Sequence, residues 1–180
     1  MSTGEIQIGP YSFEPFISAE EIDSAITKVA QKINKEYVDK TPMFICVLNG
    51  AFMFASDLLK KINLPCEIGF IRVSSYEGIQ STGTIKEIVG LTEPVENRHI
   101  IIIEDIVDTG LTVNRLIAQF INLGASSVEV ATMLQKPEAL MHNVNVKYAC
   151  IEIPNKFVIG YGLDLDGQAR NLPEIYQIKQ

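Results

Sequence analysis

The chain alternates short runs that are apolar throughout with segments whose apolar residues recur every three or four positions. Ser18-Ala19-Glu20-Glu21 has the form of a capping box, in which a hydroxyl and a carboxylate three residues apart satisfy free backbone donors at a helix start. Ile22, Ile26, Val29, Ile33 and Tyr37 follow on one helical face, which predicts an amphipathic helix. Met43–Leu48 is continuously apolar, Asn49-Gly50 interrupts it, and Phe52, Phe54, Ala55, Leu58 and Leu59 resume helical spacing. This reads as strand, tight turn, helix. The order recurs at residues 100–103, 104–112 and 113–123, with Gly124 placed to end the helix in a left-handed conformation, and residues 128–134 supply another strand. Strands apolar on both faces belong in a sheet covered on both sides, with the helices as right-handed crossovers. The pattern predicts an α/β fold with a doubly wound parallel sheet.

Two parts depart from that rhythm. Residues 72–86 hold Ser74, Ser75, Tyr76, Gly78, Ser81, Thr82 and Gly83 without periodicity, between strand-like segments at Glu67–Val73 and 85–89, and predict a mobile loop. From Tyr148 onward, apolar runs at 150–153, 157–159 and Ile175–Ile178 are broken by Pro154, Gly160, Gly162, Gly167 and Pro173, too often for another βα unit. Residues 150–180, with the N-terminal residues, are expected to form a small hood over the carboxyl ends of the strands. Spacing alone makes Phe157 a core residue. Residues 1–180 are expected to form a single domain, since no linker or repeat divides them.

Composition narrows the function. In 180 residues, 47% are hydrophobic and the formal charge is -7, so the chain can bury a core and its charge disfavours electrostatic wrapping of a polyanion. Nucleic acid is not expected as the main partner. Cys46, Cys66 and Cys150 are an odd number in a chain too large to need disulfide staples, which fits a reducing cytoplasm. The first eight residues lack the basic and apolar regions of a secretory signal, and no apolar run approaches the roughly 20 residues that cross a bilayer. No membrane association is expected.

In open α/β sheets ligands gather beyond the carboxyl ends of the strands. The richest such segment is Glu104-Asp105-Ile106-Val107-Asp108-Thr109-Gly110-Leu111-Thr112. Backbone donors from Asp108 to Thr112, with the Thr109 and Thr112 hydroxyls, would lie at a helix N-terminus that holds a phosphate, and Gly110 lets the backbone approach closely. Glu104 and Asp105 would repel that phosphate and should face a vicinal diol or a divalent cation instead. Phosphate beside diol describes a ribose phosphate. Dinucleotide and P-loop signatures are absent, because no Gly-x-Gly-x-x-Gly follows a strand and Thr84-Ile85 stands where a P-loop needs Lys and a hydroxyl residue.

The Glu-Asp-x-x-Asp-Thr-Gly-x-Thr run resembles the phosphoribosyl-pyrophosphate motif of the type I phosphoribosyltransferases. Ser75-Tyr76 with residues 80–83, Lys136, the run from Ile153 to Asp164 and Arg170 narrow the resemblance to the hypoxanthine-guanine members. The resemblance implies purine salvage: transfer of a phosphoribosyl group from phosphoribosyl pyrophosphate to N9 of a 6-oxopurine, with Mg²⁺ as cofactor and a homodimer or homotetramer as assembly. By resemblance, Glu104 and Asp105 bind the ribose hydroxyls, and Asp108, Thr109, Gly110, Leu111 and Thr112 cradle the 5′-phosphate. Asp108 also handles the proton at N7. Lys136 donates to O6, Phe157 stacks on the purine, and the Val158 backbone meets the purine edge, with Asp164 nearby. Asn49, Gly50, Ser75, Tyr76 and Arg170 fall at pyrophosphate positions, the Ser75–Tyr76 loop acting as a lid. Asp164, Glu104 and Asp105 are the metal-binding candidates.

One position departs from the family pattern: many members carry Lys where this chain has Asn49. Two rivals stand beside the purine-salvage reading. A regulatory RNA-binding protein of the same fold would need a basic face, and no Lys/Arg run here exceeds two residues. A same-fold enzyme for another base meets the obstacle that an ammonium at Lys136 faces the 6-amino group of adenine donor to donor, although xanthine stays open.

Overall fold

The computed structural model describes residues 4–73, 88–91, 93–142 and 144–179. The elements in chain order are β1 (Ile6–Ile8), β2 (Tyr11–Ile17), α1 (Ala19–Glu36), β3 (Met43–Leu48), α2 (Phe52–Leu59), β4 (Glu67–Val73) and β5 (Ile88–Val89). There follow β6 (His99–Val107), α3 (Leu111–Asn122), β7 (Ser127–Gln135), β8 (Tyr148–Glu152), β9 (Val158–Ile159) and β10 (Ile175–Ile178). The central sheet has the order β5-β4-β3-β6-β7-β8, and β4, β3, β6, β7 and β8 pair in parallel while β5 is antiparallel. The chain steps outward from β3 to β4, then returns to the other side of β3 with β6. The carboxyl ends of β3 and β6 therefore diverge at a topological switch point, where such sheets bind ligands.

Side chains alternate across each strand, and the two faces bury different helices. Phe44, Cys46, Ile101, Ile103 and Met133 pack with Ile26, Ile33, Phe54 and Leu58 of α1 and α2. Met43, Ile45, Ile100 and Ile102 pack with Leu116 and Phe120 of α3 on the opposite face. Each such side chain, fully buried, contributes about 1.5–3 kcal/mol of transfer free energy. The sheet is doubly wound, as its apolar strands predict. The α1 cap forms as read: the Ser18 N–H donates to Glu21 Oε2 at 2.9 Å, and the Glu21 N–H donates to the Ser18 hydroxyl at 3.3 Å. Gly124 takes φ +87° at the end of α3.

A second, antiparallel sheet with the order β1-β2-β10-β9 joins the two ends of the chain. Its strands bury Ile8, Phe13, Ile159 and Tyr176 in a core of their own. This is the expected hood.

Three sequence expectations need correction. Tyr148–Glu152 is an edge strand of the central sheet, paired with β7 from Ala131 to Gln135, and not part of the hood. The last strand of a sheet needs no following helix, so the lost rhythm did not exclude it. Its buried Tyr148 lies beneath the Lys32 and Lys147 ammoniums at 5.1 and 5.3 Å, and the hydroxyl donates to Glu36 at 2.7 Å. Second, β6 runs to Val107, so Glu104 and Asp105 belong to the strand rather than to the turn, because Ile106 and Val107 continue the ladder opposite Leu134 and Gln135. Third, Phe157 is 45% exposed and is not core.

Candidate active site

The turn after β6 builds the first part of the site. Gly110 is the N-cap of α3 with φ +79°, and a β-carbon there would lie 3.1 Å from Val144 Cγ2, so both conformation and space favour glycine. No side chain caps this helix; the Thr109 hydroxyl only accepts from the Leu111 N–H at 3.4 Å. Leu111 and Thr112 open the helix, with Asp108 and Thr109 preceding the cap. An uncapped first turn leaves backbone donors and the positive end of the dipole facing outward. A cavity of about 190 Å³ opens at this place, lined by residues 104–113. It is the kind of place where an anion binds.

Glu104 is buried (6% exposed) and Asp105 half-buried at the end of β6. Burial, and then the neighbouring Asp105 charge, pushes the Glu104 carboxyl well above the usual carboxylate range. Burial also raises Asp105, opposed by the Ile106 N–H, which donates to its Oδ1 at 2.8 Å, and by the Arg170 charge. Two adjacent desolvated carboxylates favour a partner that brings donors or positive charge. Cys46, buried on β3, has its thiol pushed up to about 12 by burial and by these same two charges; burial does the same to Cys150. Cys66, half-buried, rises with burial as the cause. A thiol-disulfide reagent near pH 8 should therefore react with Cys66 in the native protein and with Cys46 and Cys150 only after denaturation, because the thiolate is the reactive form. Thiol counting before and after unfolding checks this, and rapid native labelling of Cys46 would contradict it.

Lys136 follows β7 and is held by its N–H to the Val107 carbonyl at 3.0 Å. Its ammonium is buried, and donates to Asp108 Oδ2 at 2.9 Å. The half-exposed Asp108 does not cap α3; its side-chain partner is Lys136. A donor and an acceptor thus stand side by side next to the anion site.

The turn after β3 forms the opposite wall. The Leu48–Asn49 peptide is cis. A β-carbon on Gly50 would sit 1.5 Å from Asp105 Oδ2, so Gly50 and Asp105 occupy one another's only space. A β-carbon on Gly162 would sit 2.0 Å from the Gly50 carbonyl oxygen. The sequence marked Gly162 only as a breaker; its signal was the Gly-Tyr-Gly at 160–162. Arg170 donates to the Gly162 carbonyl at 2.7 Å and pairs with Asp164 at 2.6 Å, and Asp164 also accepts from the Gly167 N–H at 2.7 Å. Asn49, Gly50, Glu104, Asp105, Asp164 and Arg170 thus belong to one linked region. Phe157 presents an exposed ring 6.2 Å from Phe13, and Val158 is buried in β9. Ser75 and Tyr76, and the lid expected there, lie outside the described residues.

No group of three or more His, Cys, Asp or Glu among the described residues would hold a metal by itself. Glu104, Asp105 and Asp164 fit a magnesium ion of the other kind, bound through one or two carboxylates while substrate phosphates and water complete its oxygen shell. Such a cation would relieve the desolvation of the adjacent Glu104 and Asp105.

Comparison with known proteins places this arrangement in a family. Residues 18–166 match the family model described as phosphoribosyl transferase domain. The chain is 39% identical over 165 residues to a hypoxanthine-guanine phosphoribosyltransferase of Streptococcus pneumoniae, covering 91% of this chain and 92% of the relative. It is 40% identical over 164 residues to one of Bacillus subtilis, covering 91% of each. A crystal structure of a hypoxanthine phosphoribosyltransferase from Staphylococcus aureus superimposes with a TM-score of 0.84 at 35% identity, over 92% of this chain and 91% of that one. The parallel sheet with its switch point, the hood and the match across most of the chain agree: this chain belongs to the phosphoribosyl transferase family.

Proposed function

We propose that the chain transfers the 5-phosphoribosyl group of phosphoribosyl pyrophosphate to N9 of hypoxanthine, and also of guanine, releasing pyrophosphate and forming the nucleoside monophosphate. The observation that carries this reading is the Lys136–Asp108 pair beside an uncapped helix N-terminus. O6 and N7 lie on one edge of a 6-oxopurine, and this pair offers that edge a donor and an acceptor together.

The chemistry follows from the parts. The first turn of α3 and the Thr109 and Thr112 hydroxyls hold the 5′-phosphate, while Glu104 and Asp105 accept from the ribose hydroxyls and fix the sugar. Phe157 stacks on the base and Lys136 donates to O6, so N9 points at C1′. As the N9–C1′ bond forms and the C1′–oxygen bond to pyrophosphate breaks, the proton on N7 passes to Asp108. Arg170 and the Gly50 turn hold the departing pyrophosphate. Mg²⁺, bound through Asp164 and the Glu104–Asp105 pair, would supply charge neutralisation to that leaving group. Three free thiols suit the reducing cytoplasm as the working compartment. Exposed Ile68 and Phe70, two apart on β4, leave apolar surface that suits a homodimer or homotetramer.

Lys136→Ala should lower kcat/KM for hypoxanthine by about 10–100-fold, the worth of a charged hydrogen bond of about 1–3 kcal/mol. Steady-state kinetics check this, and an unchanged value rules out the O6 contact. The whole reading is tested by supplying phosphoribosyl pyrophosphate, Mg²⁺ and each free nucleobase in turn and identifying the nucleotide formed. Product from hypoxanthine and guanine supports it; product only from adenine or a pyrimidine, or none, overturns it.

A further inference from the structure

In the turn of residues 160–163 both central residues carry positive φ, +51° at Tyr161 and +98° at Gly162. Gly160 and Leu163 exchange backbone hydrogen bonds at 3.1 Å in each direction. This is the pattern of a type I′ turn, whose centre favours Gly, Asn or Asp because a β-carbon is crowded there. Tyrosine is an outlier at such a position and stays only where its surroundings over-determine it. Two contacts do so. The side chain is buried (4% exposed), and its hydroxyl donates at 2.7 Å to Oδ2 of Asp57 on α2, a residue 104 positions away. Asp57 is itself braced, since its Oδ1 receives the Lys60 ammonium at 2.8 Å.

The turn so held presses Gly162 against the Gly50 carbonyl, and the Gly162 carbonyl in turn receives Arg170. Gly50 leads through Ala51 straight into α2. The contacts therefore close a ring that runs from Gly50 along α2 to Asp57, across to Tyr161, and through Gly162 back to Gly50. Helix α2 is the rigid strut of that ring, and the Tyr161 hydroxyl is its one side-chain latch across to the turn among the hydrogen bonds of the described residues.

We propose that Asp57 and Tyr161 are positioning residues: a clamp that sets the spacing between the Gly50 turn and the Asp164–Arg170 pair, and so governs the grip on the pyrophosphate group without touching it. The inference rests on the substrate reading above. Without the latch, Tyr161 relaxes from its crowded backbone conformation, and Gly162 and Arg170 withdraw from the pyrophosphate side, leaving the purine contacts of Lys136 in place.

The test uses Tyr161→Phe, which keeps the buried ring, Asp57→Ala, the two combined, and Asp57→Asn, whose amide oxygen still accepts the hydroxyl. Each is measured with phosphoribosyl pyrophosphate varied at saturating hypoxanthine, and then the reverse. Tyr161→Phe and Asp57→Ala should each raise KM for phosphoribosyl pyrophosphate about 5–10-fold, the worth of one hydrogen bond, and leave KM for hypoxanthine within about twofold. The combined variant should be no worse than the poorer single one, because the pair acts as a unit. Asp57→Asn should restore KM to within about twofold of the unaltered protein. An unchanged KM for phosphoribosyl pyrophosphate in Tyr161→Phe, whatever its melting temperature, overturns the clamp, as do additive effects in the combined variant. An unaltered protein that forms no nucleotide overturns the substrate reading and the clamp with it, whereas an active parent with indifferent variants overturns the clamp alone.

Discussion

Asp108→Asn should lower kcat by about 10²-fold or more, the usual contribution of a positioned proton acceptor, while the protein folds normally. The amide has the shape of the carboxylate and still accepts from Lys136, but it cannot take the N7 proton as N9 bonds to the sugar. Folding is spared because Asp108 is half-exposed and caps nothing; the N-cap of α3 is Gly110. The buried Lys136 ammonium keeps a hydrogen bond to the amide oxygen but loses its counter-charge, so a lower thermal midpoint is expected beside the kinetic loss. Single-turnover kinetics with a thermal melt separate the two effects. A turnover loss under about threefold would remove Asp108 from proton chemistry.

Gly50→Ala should cost about 10²-fold in kcat/KM for phosphoribosyl pyrophosphate, through a residue with no chemistry of its own. The new methyl would lie 1.5 Å from Asp105 Oδ2 and 2.5 Å from its Cγ, distances no real contact allows. Asp105 cannot simply swing aside, because the Ile106 N–H holds its Oδ1 and the site around it is desolvated. Either the carboxylate leaves the place proposed for ribose binding or the turn proposed to meet the pyrophosphate shifts, and a displacement near 1 Å can cost about this much. Overpacking of this kind destabilises by about 1–3 kcal/mol as well, so a lower melting temperature is expected. The discriminating measurement is kcat/KM for phosphoribosyl pyrophosphate at saturating base; a value within about threefold of the parent would show that Asp105 need not stand where it does.

The elements built from contiguous apolar runs were legible in the chain. Met43–Leu48 formed a strand with the bounds its pattern shows, and the Ser18 box began α1 where hydroxyl and carboxylate spacing required it. The hood strands were harder. β2 buries only Phe13 and Ile17 and carries Pro15 within it, and β1 has only three residues, so neither announces itself against a background of short polar stretches. Tyr148–Glu152 was misplaced because the sequence rhythm that identifies inner strands stops at the edge of a sheet.

The site divides in the same way. The turn from Asp108 to Thr112 could be read directly, since its geometry is local: a left-handed glycine and a helix start are encoded within a few consecutive residues. Lys136 and Arg170 carried no such local mark, and only resemblance to a family drew attention to them. That Lys136 meets Asp108, Gly50 meets Asp105, and Gly162 meets Gly50 depends on the order of the strands. The inner strands, the α1 cap and the left-handed turn before α3 follow from interactions within a few residues, and those the amino-acid order determines by itself. The meeting of β3, β6 and the hood depends on burying the two faces of one sheet at once, a requirement of the whole chain's packing, and so only the tertiary structure decided which distant side chains stand together.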